Sequence, residues 1–153
     1  MFLSTSHNKI DKKGRVSVPR NFRTYLDLEG GSLILFKSLQ LKCIEGTTLK
    51  RINQYVEAID EIDAMSKDAS ILRMMMADSF EIKYDNEGRI NIPESLLSYA
   101  DIDDIAVFVG IGKSFMIWSD IEYEKEYQNT QKILQSSGPP KLILNKKEGI
   151  SNE

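Results

Sequence analysis

Asp11-Lys12-Lys13-Gly14-Arg15-Val16-Ser17-Val18-Pro19 returns 74 positions later as Asp85-Asn86-Glu87-Gly88-Arg89-Ile90-Asn91-Ile92-Pro93. Asp, Gly, Arg and Pro keep identical spacings, with β-branched residues at Val16 and Val18 in one copy and at Ile90 and Ile92 in the other. The likeness runs on without a gap: Phe22 against Leu96, Tyr25 against Tyr99, Leu28 against Ile102, Leu33 and Leu35 against Val107 and Val109. Leu41 then meets Phe115, and Cys43-Ile44 meets Ile117-Trp118. Two copies make an internal duplication, and a repeat constrains the fold before local propensity does. A copy of about 45 residues is near the size at which a lone domain is marginal. The economical arrangement packs both copies around one core.

Within each copy, Asp opens a turn that Gly closes, since Asp bonds the turn backbone and Gly tolerates positive φ. The period-two alternation after the Arg predicts a half-buried strand, which Pro19 or Pro93 ends by lacking a backbone donor. Phe2, Leu3 and Ile10 suggest an opening strand, so the first motif reads as a hairpin tipped by Lys12, Lys13 and Arg15. Apolar spacing predicts a short helix over Arg20–Leu26 and a second hairpin from Ser32–Phe36 and Leu39–Glu45. A helix capped by Thr47 or Thr48 follows, then another around Leu72 and Met74–Met76. The second copy repeats this order from Ser79, and Ser119 with Glu122 forms a capping box for a last helix stopped by Ser137-Gly138-Pro139-Pro140. Residues 5–48 are read as repeat 1, 49–78 as a helical connector, 79–122 as repeat 2 and 123–153 as a C-terminal helix and tail. Beyond Lys141 the tail is read as a flexible end or docking segment. The fold class is α+β.

The apolar runs are too short to span a bilayer, no export signal precedes them, and one cysteine supports no disulfide framework; all three suit a cytoplasmic protein. The net charge of −3 conceals an uneven distribution. Residues 1–76 carry 12 Lys+Arg against 9 Asp+Glu, and residues 77–153 carry 8 against 14. Lys9, Lys12, Lys13, Arg15, Arg20 and Arg23 crowd the first 26 residues against Asp11 alone. Such a block is the footprint of a localised anion site.

Catalytic chemistry has little to work with. Cys43 reads as a small core residue and His7 as a surface strand residue, so neither a Cys–His dyad nor a metal site is expected, and no cofactor is implied. Gly30-Gly31 and Gly110–Gly112 lack the strand–loop–helix setting of a phosphate loop. Asp11 and Asp85 could be paired acids of a phosphate or nucleic-acid enzyme, but holding the turn and its Arg is the plainer role. Arg15 is different: a guanidinium fork fits phosphate oxygens or the O6/N7 edge of guanine, and a two-stranded ribbon is narrow enough for a DNA groove. The second loop has Glu87 where the first has Lys13, so the first hairpin is the better DNA reader.

The duplicated D-x-x-G-R-[VI]-x-[VI]-P pattern resembles the MraZ family of bacterial transcriptional regulators. Met1-Phe2-Leu3, Tyr99-Ala100, Val109–Gly112 and Phe115–Trp118 extend the likeness over roughly residues 1–135. Ser4 stands where Gly is common, and Met74–Met76 replaces an aromatic pair. The resemblance implies two tandem SpoVT-AbrB-type domains whose swapped hairpins interlock within one chain around a pseudo-two-fold β core. It further implies a nucleoid-associated homo-oligomeric ring that binds double-stranded DNA at direct repeats. Those repeats lie upstream of the operon of division and cell-wall genes that includes its own, which it mainly represses. Carried onto this sequence, Arg15 contacts DNA, Lys9, Lys12, Lys13 and Arg20 hold phosphates, and Asp11 and Gly14 shape the loop. Asp85, Gly88 and Arg89 form its structural counterpart or a subunit contact. The competing reading is a ring-forming protein scaffold whose basic loop is solvated charge.

Overall fold

The computed structural model describes residues 1–144. Residues 1–123 form one compact unit, and the chain from Glu124 onward a second. The first copy contributes β1 (Thr5–Lys9), β2 (Arg15–Ser17), α1 (Arg20–Leu28), β3 (Ser32–Lys37) and β4 (Ile44–Thr48). Helices α2 (Leu49–Asp60) and α3 (Lys67–Ala77) follow. The second copy contributes β5 (Phe80–Lys83), β6 (Arg89–Asn91), α4 (Glu94–Tyr99), β7 (Ile105–Gly110) and β8 (Ser114–Trp118), and α5 runs over Asp120–Ser137. The α+β class stands as expected.

The strands exchange partners between copies. A six-stranded antiparallel sheet runs β1-β7-β8-β4-β3-β5, and β2 pairs with β6 in a separate ladder. Asn8 of β1 faces Ala106 of β7, and Ile82 of β5 faces Leu33 of β3. The opening hairpin therefore has its backbone closure at the tip, where the Asp11 N–H donates to the Arg15 carbonyl at 2.8 Å, and further along the Asn8 side-chain amide donates to the Ser17 carbonyl at 2.7 Å. Beyond the tip its arms form ladders with other strands and not with each other. The reason is the apolar strip of β2: Val16 is buried and needs an apolar neighbour, which Ile90 of β6 supplies and the polar β1 (Thr-Ser-His-Asn-Lys) does not.

The ungapped comparison fails in the second hairpin. Leu33 faces Thr48, whereas its counterpart Val107 faces Trp118, 74 positions beyond Ile44. The first copy thus carries four more residues there, and Leu41 and Cys43-Ile44 are not the equivalents of Phe115 and Ile117-Trp118. The extra length lies in residues 38–43, where Ser38 Oγ accepts the N–H groups of Gln40 and Leu41 at 3.3 and 3.2 Å. Strand β4 consequently starts at Ile44 and not at Leu39. Cys43 is buried as expected, but in this loop, with its thiol 3.6 Å from Met116 Sδ.

One core serves both copies. Val16, Val18, Phe22 and Leu26 pack with Ile90, Ile92, Leu96 and Ala100, joined by Phe108 and Phe115. Phe2 completes it, with ring centroids 4.8–5.2 Å from Tyr25, Phe115 and Phe22. Each such ring contributes roughly 1.5–3 kcal/mol on full burial. The N-terminal segment crosses Gly110, where an added Cβ would strike the backbone of Phe2 and Leu3. Ser4 there adopts φ 76°, a left-handed conformation that explains why glycine suits this place. A second cluster joins Ile34 and Phe36 to Ile52 of α2 and Met75 of α3, so Met75 is core while Met74 is exposed. Thr48 caps α2, Ser66 caps α3 and Ser119 caps α5, each accepting an N–H at 3.0–3.1 Å. Helix α5 ends at Ser137, with Gly138 at φ 69°. Leu142, Ile143 and Leu144 are exposed; the remainder of the tail reading lies outside the described residues.

Gly46 of β4 faces Phe115 of β8, whose ring fills the space a Cβ would need. Gly46→Ala is expected to cost about 1–3 kcal/mol or more by overpacking, seen as a lower urea midpoint at unchanged slope. Its neighbour Glu45 is half-buried among Phe36, Tyr55, Leu72 and Met75, with no ion pair among the described residues, and burial pushes its carboxyl pKa up. A raised folded-state pKa means stability is fully present below the unfolded value and is lost as pH rises through the folded one. Glu45→Gln should therefore raise the melting temperature at pH 7 and leave it unchanged near pH 3. Equal shifts at both values would contradict this origin.

Candidate nucleic-acid interface

The two motif turns are built by one set of hydrogen bonds. In the first, Asp11 Oδ1 accepts the N–H groups of Lys13 and Arg15 at 3.0 and 2.8 Å, and Oδ2 accepts Arg15 Nε at 2.8 Å. In the second, Asp85 Oδ1 accepts from Glu87 and Arg89 at 2.9 and 3.0 Å, and Oδ2 accepts Arg89 Nε at 3.0 Å. Gly14 and Gly88 take φ 81° and 76°, which lets the chain return within four residues. The Arg15 backbone N–H, ahead of the guanidinium, holds the Asp11 carboxyl below the usual carboxylate range; Arg89 does the same for Asp85. Depressed values keep both turns intact above the ordinary carboxylate pKa and release them only as pH falls through the folded-state pKa.

Anchoring through Nε ties each guanidinium to its carboxylate and leaves the two terminal nitrogens outside that bond. For Arg15 those nitrogens have no protein partner among the described residues. For Arg89 one is occupied, with Nη1 3.3 Å from Glu87 Oε2. The β2–β6 register places Arg15 opposite Asn91 and Ser17 opposite Arg89, so all four side chains share one face. The other face is Val16 against Ile90, buried in the core. Both arginines thus stand on a ribbon two strands wide, built from both copies.

The sequence-predicted residues are only partly assembled. Lys12 and Lys13 are exposed in the turn with Arg15, and Lys9 is exposed at the end of β1 leading into it. Arg20 is exposed at the first position of α1, with no contact to the turn among the described side-chain interactions. Sequence reasoning passed over Ser17 and Asn91, whose place follows from the cross-copy register alone. It also left Arg23 without a role. Arg23 donates through Nε to the Val18 carbonyl at 3.2 Å and lies over Gly88, where an added Cβ would meet its Cζ at 2.6 Å. Its counterpart in the second copy is Leu97, a difference visible in the sequence. A cation from the first copy thus sits on the second turn.

No catalytic or metal grouping accompanies this face. Both motif aspartates are engaged by their arginines, and His7 lies edge-on to Tyr123 at 6.3 Å. Among the described residues no cluster of three or more His, Cys, Asp or Glu could hold a metal ion, and no helix is long and apolar enough to cross a membrane.

Comparison with known proteins gives the family. The family model described as "MraZ protein, putative antitoxin-like" matches the chain twice, over residues 1–73 and 75–143. A protein of Rickettsia canadensis named "Transcriptional regulator MraZ" is 36% identical over 135 residues, covering 87% of this chain and 91% of the relative. One of the same name from Pelagibacter ubique is 37% identical over 134 residues, covering 86% of each. These relatives are named as regulators and not as enzymes. With the motif, its duplication and the exchanged strands all in place, the chain belongs to the MraZ family of transcriptional regulators.

Proposed function

We propose that the protein is a sequence-specific DNA-binding repressor that reads DNA with the exposed face of the β2–β6 ribbon. The carrying observation is the fixed Arg15 guanidinium, anchored through Nε by Asp11 and open at its terminal nitrogens. A ribbon of two strands fits the major groove, where an Arg fork pairs with guanine O6/N7 and an Asn amide with adenine N6/N7. Arg15 is the principal base reader, Asn91 and Arg89 its neighbours, and Ser17 a small donor between them. Lys9, Lys12, Lys13 and Arg20 hold phosphates, which position the ribbon without reading sequence. Glu87 weakens the second turn by drawing on Arg89 and repelling the backbone, while Arg23 offsets part of that charge.

Following the family resemblance, the operator is a set of direct repeats upstream of the division and cell-wall operon that contains its own gene, and the protein acts there as a ring of identical subunits. Few cations per subunit suffice in that arrangement, because linking several copies makes later contacts intramolecular and raises avidity by about 10²–10⁴.

Arg15→Ala is expected to cost about 1–3 kcal/mol per engaged subunit and to abolish the mobility shift of DNA from upstream of the gene, with circular dichroism and oligomer mass unchanged. Undiminished binding would overturn the assignment. If about four phosphates are held per subunit, log K should fall with log salt at a slope near −3.6; a flat response argues against DNA as the ligand. Glu87→Lys makes the second turn resemble the first. It should tighten binding severalfold and steepen that slope by about 0.9 per added phosphate contact, whereas unchanged affinity would leave the second turn outside the interface.

A further inference from the structure

The two copies differ again where each hairpin loop meets the first turn of a helix. In the second copy, Lys42 from the β3–β4 loop is paired with Asp101, in the turn after α4, and lies 4.0 Å from Glu122 in the first turn of α5. Tyr99 donates its hydroxyl to the Ser38 carbonyl at 2.6 Å. That niche is closed by its own carboxylates.

The matching niche of the first copy has the opposite charge. Capping residues Thr48 and Ser119 align Arg51 with Glu122, so a cation replaces a carboxylate in the third position of the helix. Lys113, just before β8, takes the place of Lys42. With Lys50, Gln54, Thr48, Glu29 and Tyr25 they line a pocket of about 140 Å³. Three cations face one carboxylate, Glu29, which lies 3.7 Å from Lys50. Lys113 has no ion pair and the Tyr25 hydroxyl no hydrogen bond among the described residues. Arg51 donates through Nη1 to Gln54 at 3.0 Å and its guanidinium lies 5.1 Å from the centroid of the Tyr55 ring, but its Nε is buried without a hydrogen-bond acceptor. A buried charged donor left without an acceptor is costlier than a neutral one, and α2 has no acidic residue in its first turn to offset Lys50 and Arg51. Three cationic groups and a phenol converge, and among the described residues Glu29 is the one carboxylate lining the pocket.

We propose that this pocket is a second anion site, selective for the phosphate class, in which a phosphate occupies the place that Asp101 and Glu122 fill in the other copy. Arg51 and Lys113 bind its charge, Tyr25 and Lys50 donate at its rim, and Glu29 limits the net charge accepted. The site uses none of the groups assigned to the ribbon, so it stands independently of the DNA reading.

Inorganic phosphate is the probe, titrated at constant ionic strength against chloride and followed through the arginine Nε–H resonances of the full-length ¹⁵N-labelled protein. Saturable movement of the Arg51 signal, with the Arg15 signal still, and a phosphate-dependent rise in melting temperature are expected. Both should be lost in Lys113→Gln, an exposed position whose variant keeps the native spectrum elsewhere, and in Arg51→Gln. Absence of saturation, or equal movement with chloride, overturns the site, as does an undiminished response in Lys113→Gln. The phosphate's source is separated by operator binding: if it belongs to DNA, Lys113→Gln weakens the mobility shift at least several-fold and free phosphate competes. If it is a free phosphorylated solute, operator affinity in phosphate-free buffer is unchanged while the melting response is lost.

Discussion

The β2–β6 ladder, three residues from each copy with Val16 set opposite Ile90, is the constraint on which the molecule depends. Strand β2 has only the polar β1 beside it in its own copy, and a three-residue strand has too few hydrogen bonds to hold alone. Pairing across the copies satisfies both strands at once and forces the preceding β1 and β5 to cross over to β7 and β3. Burial and backbone hydrogen bonding then favour the same exchange. The same ladder has a polar outer face because side chains alternate along a strand. The residues that seal the core therefore set where Arg15, Ser17, Arg89 and Asn91 stand, and the interface needs no separate scaffold.

The turns show how a shared frame is given different electrostatics. Asp, Gly and Arg are used identically twice: two backbone N–H groups on one carboxylate oxygen, a guanidinium Nε on the other, and a left-handed glycine between them. What lies between these fixed points is free to vary, since Lys12, Lys13, Asn86 and Glu87 are exposed. Glu87 reaches Arg89, and Lys13 leaves Arg15 alone. Charge was thus changed where it costs no packing, the ordinary route by which a duplicated surface diverges while its core is kept.

Much of this was legible in the chain because the motif couples turn chemistry to period-two burial. The turn, the strand after it, the short helix with Phe22 and Leu26 inward and the helix caps at Thr48 and Ser119 all follow from local rules. Partner choice between strands is a tertiary matter, however, and β1 with β2 looks from sequence like any hairpin. Asn91 and Ser17 were invisible for the same reason: only a cross-copy register brings them beside Arg15. The four-residue difference in the second hairpin escaped because alternating apolar residues match in several registers, so Leu41 and Phe115 align plausibly while occupying different structural places. Arg23 was seen as charge but not as geometry, since its target, the open space above Gly88, belongs to the other copy.

The asymmetry of charge has a structural logic beyond any single site. A pseudo-two-fold molecule offers each surface feature twice, and two equal anion sites on opposed turns would compete for one ligand orientation. In this chain three paired features outside the core are resolved in the same sense. Lys13 is set against Glu87, Arg51 against Glu122, and the unpaired Lys113 against a Lys42 held by Asp101. In each case the cation without a carboxylate belongs to a niche built on first-copy turns or helices, and the carboxylate, whether at the equivalent position or pairing the equivalent lysine, to one built on the second. Because the copies share one core, these differences lie on one body within residues 1–123. A body differentiated in this way meets an anion at the first-copy niches in preference to their second-copy counterparts, because only the former lack a carboxylate in the equivalent place.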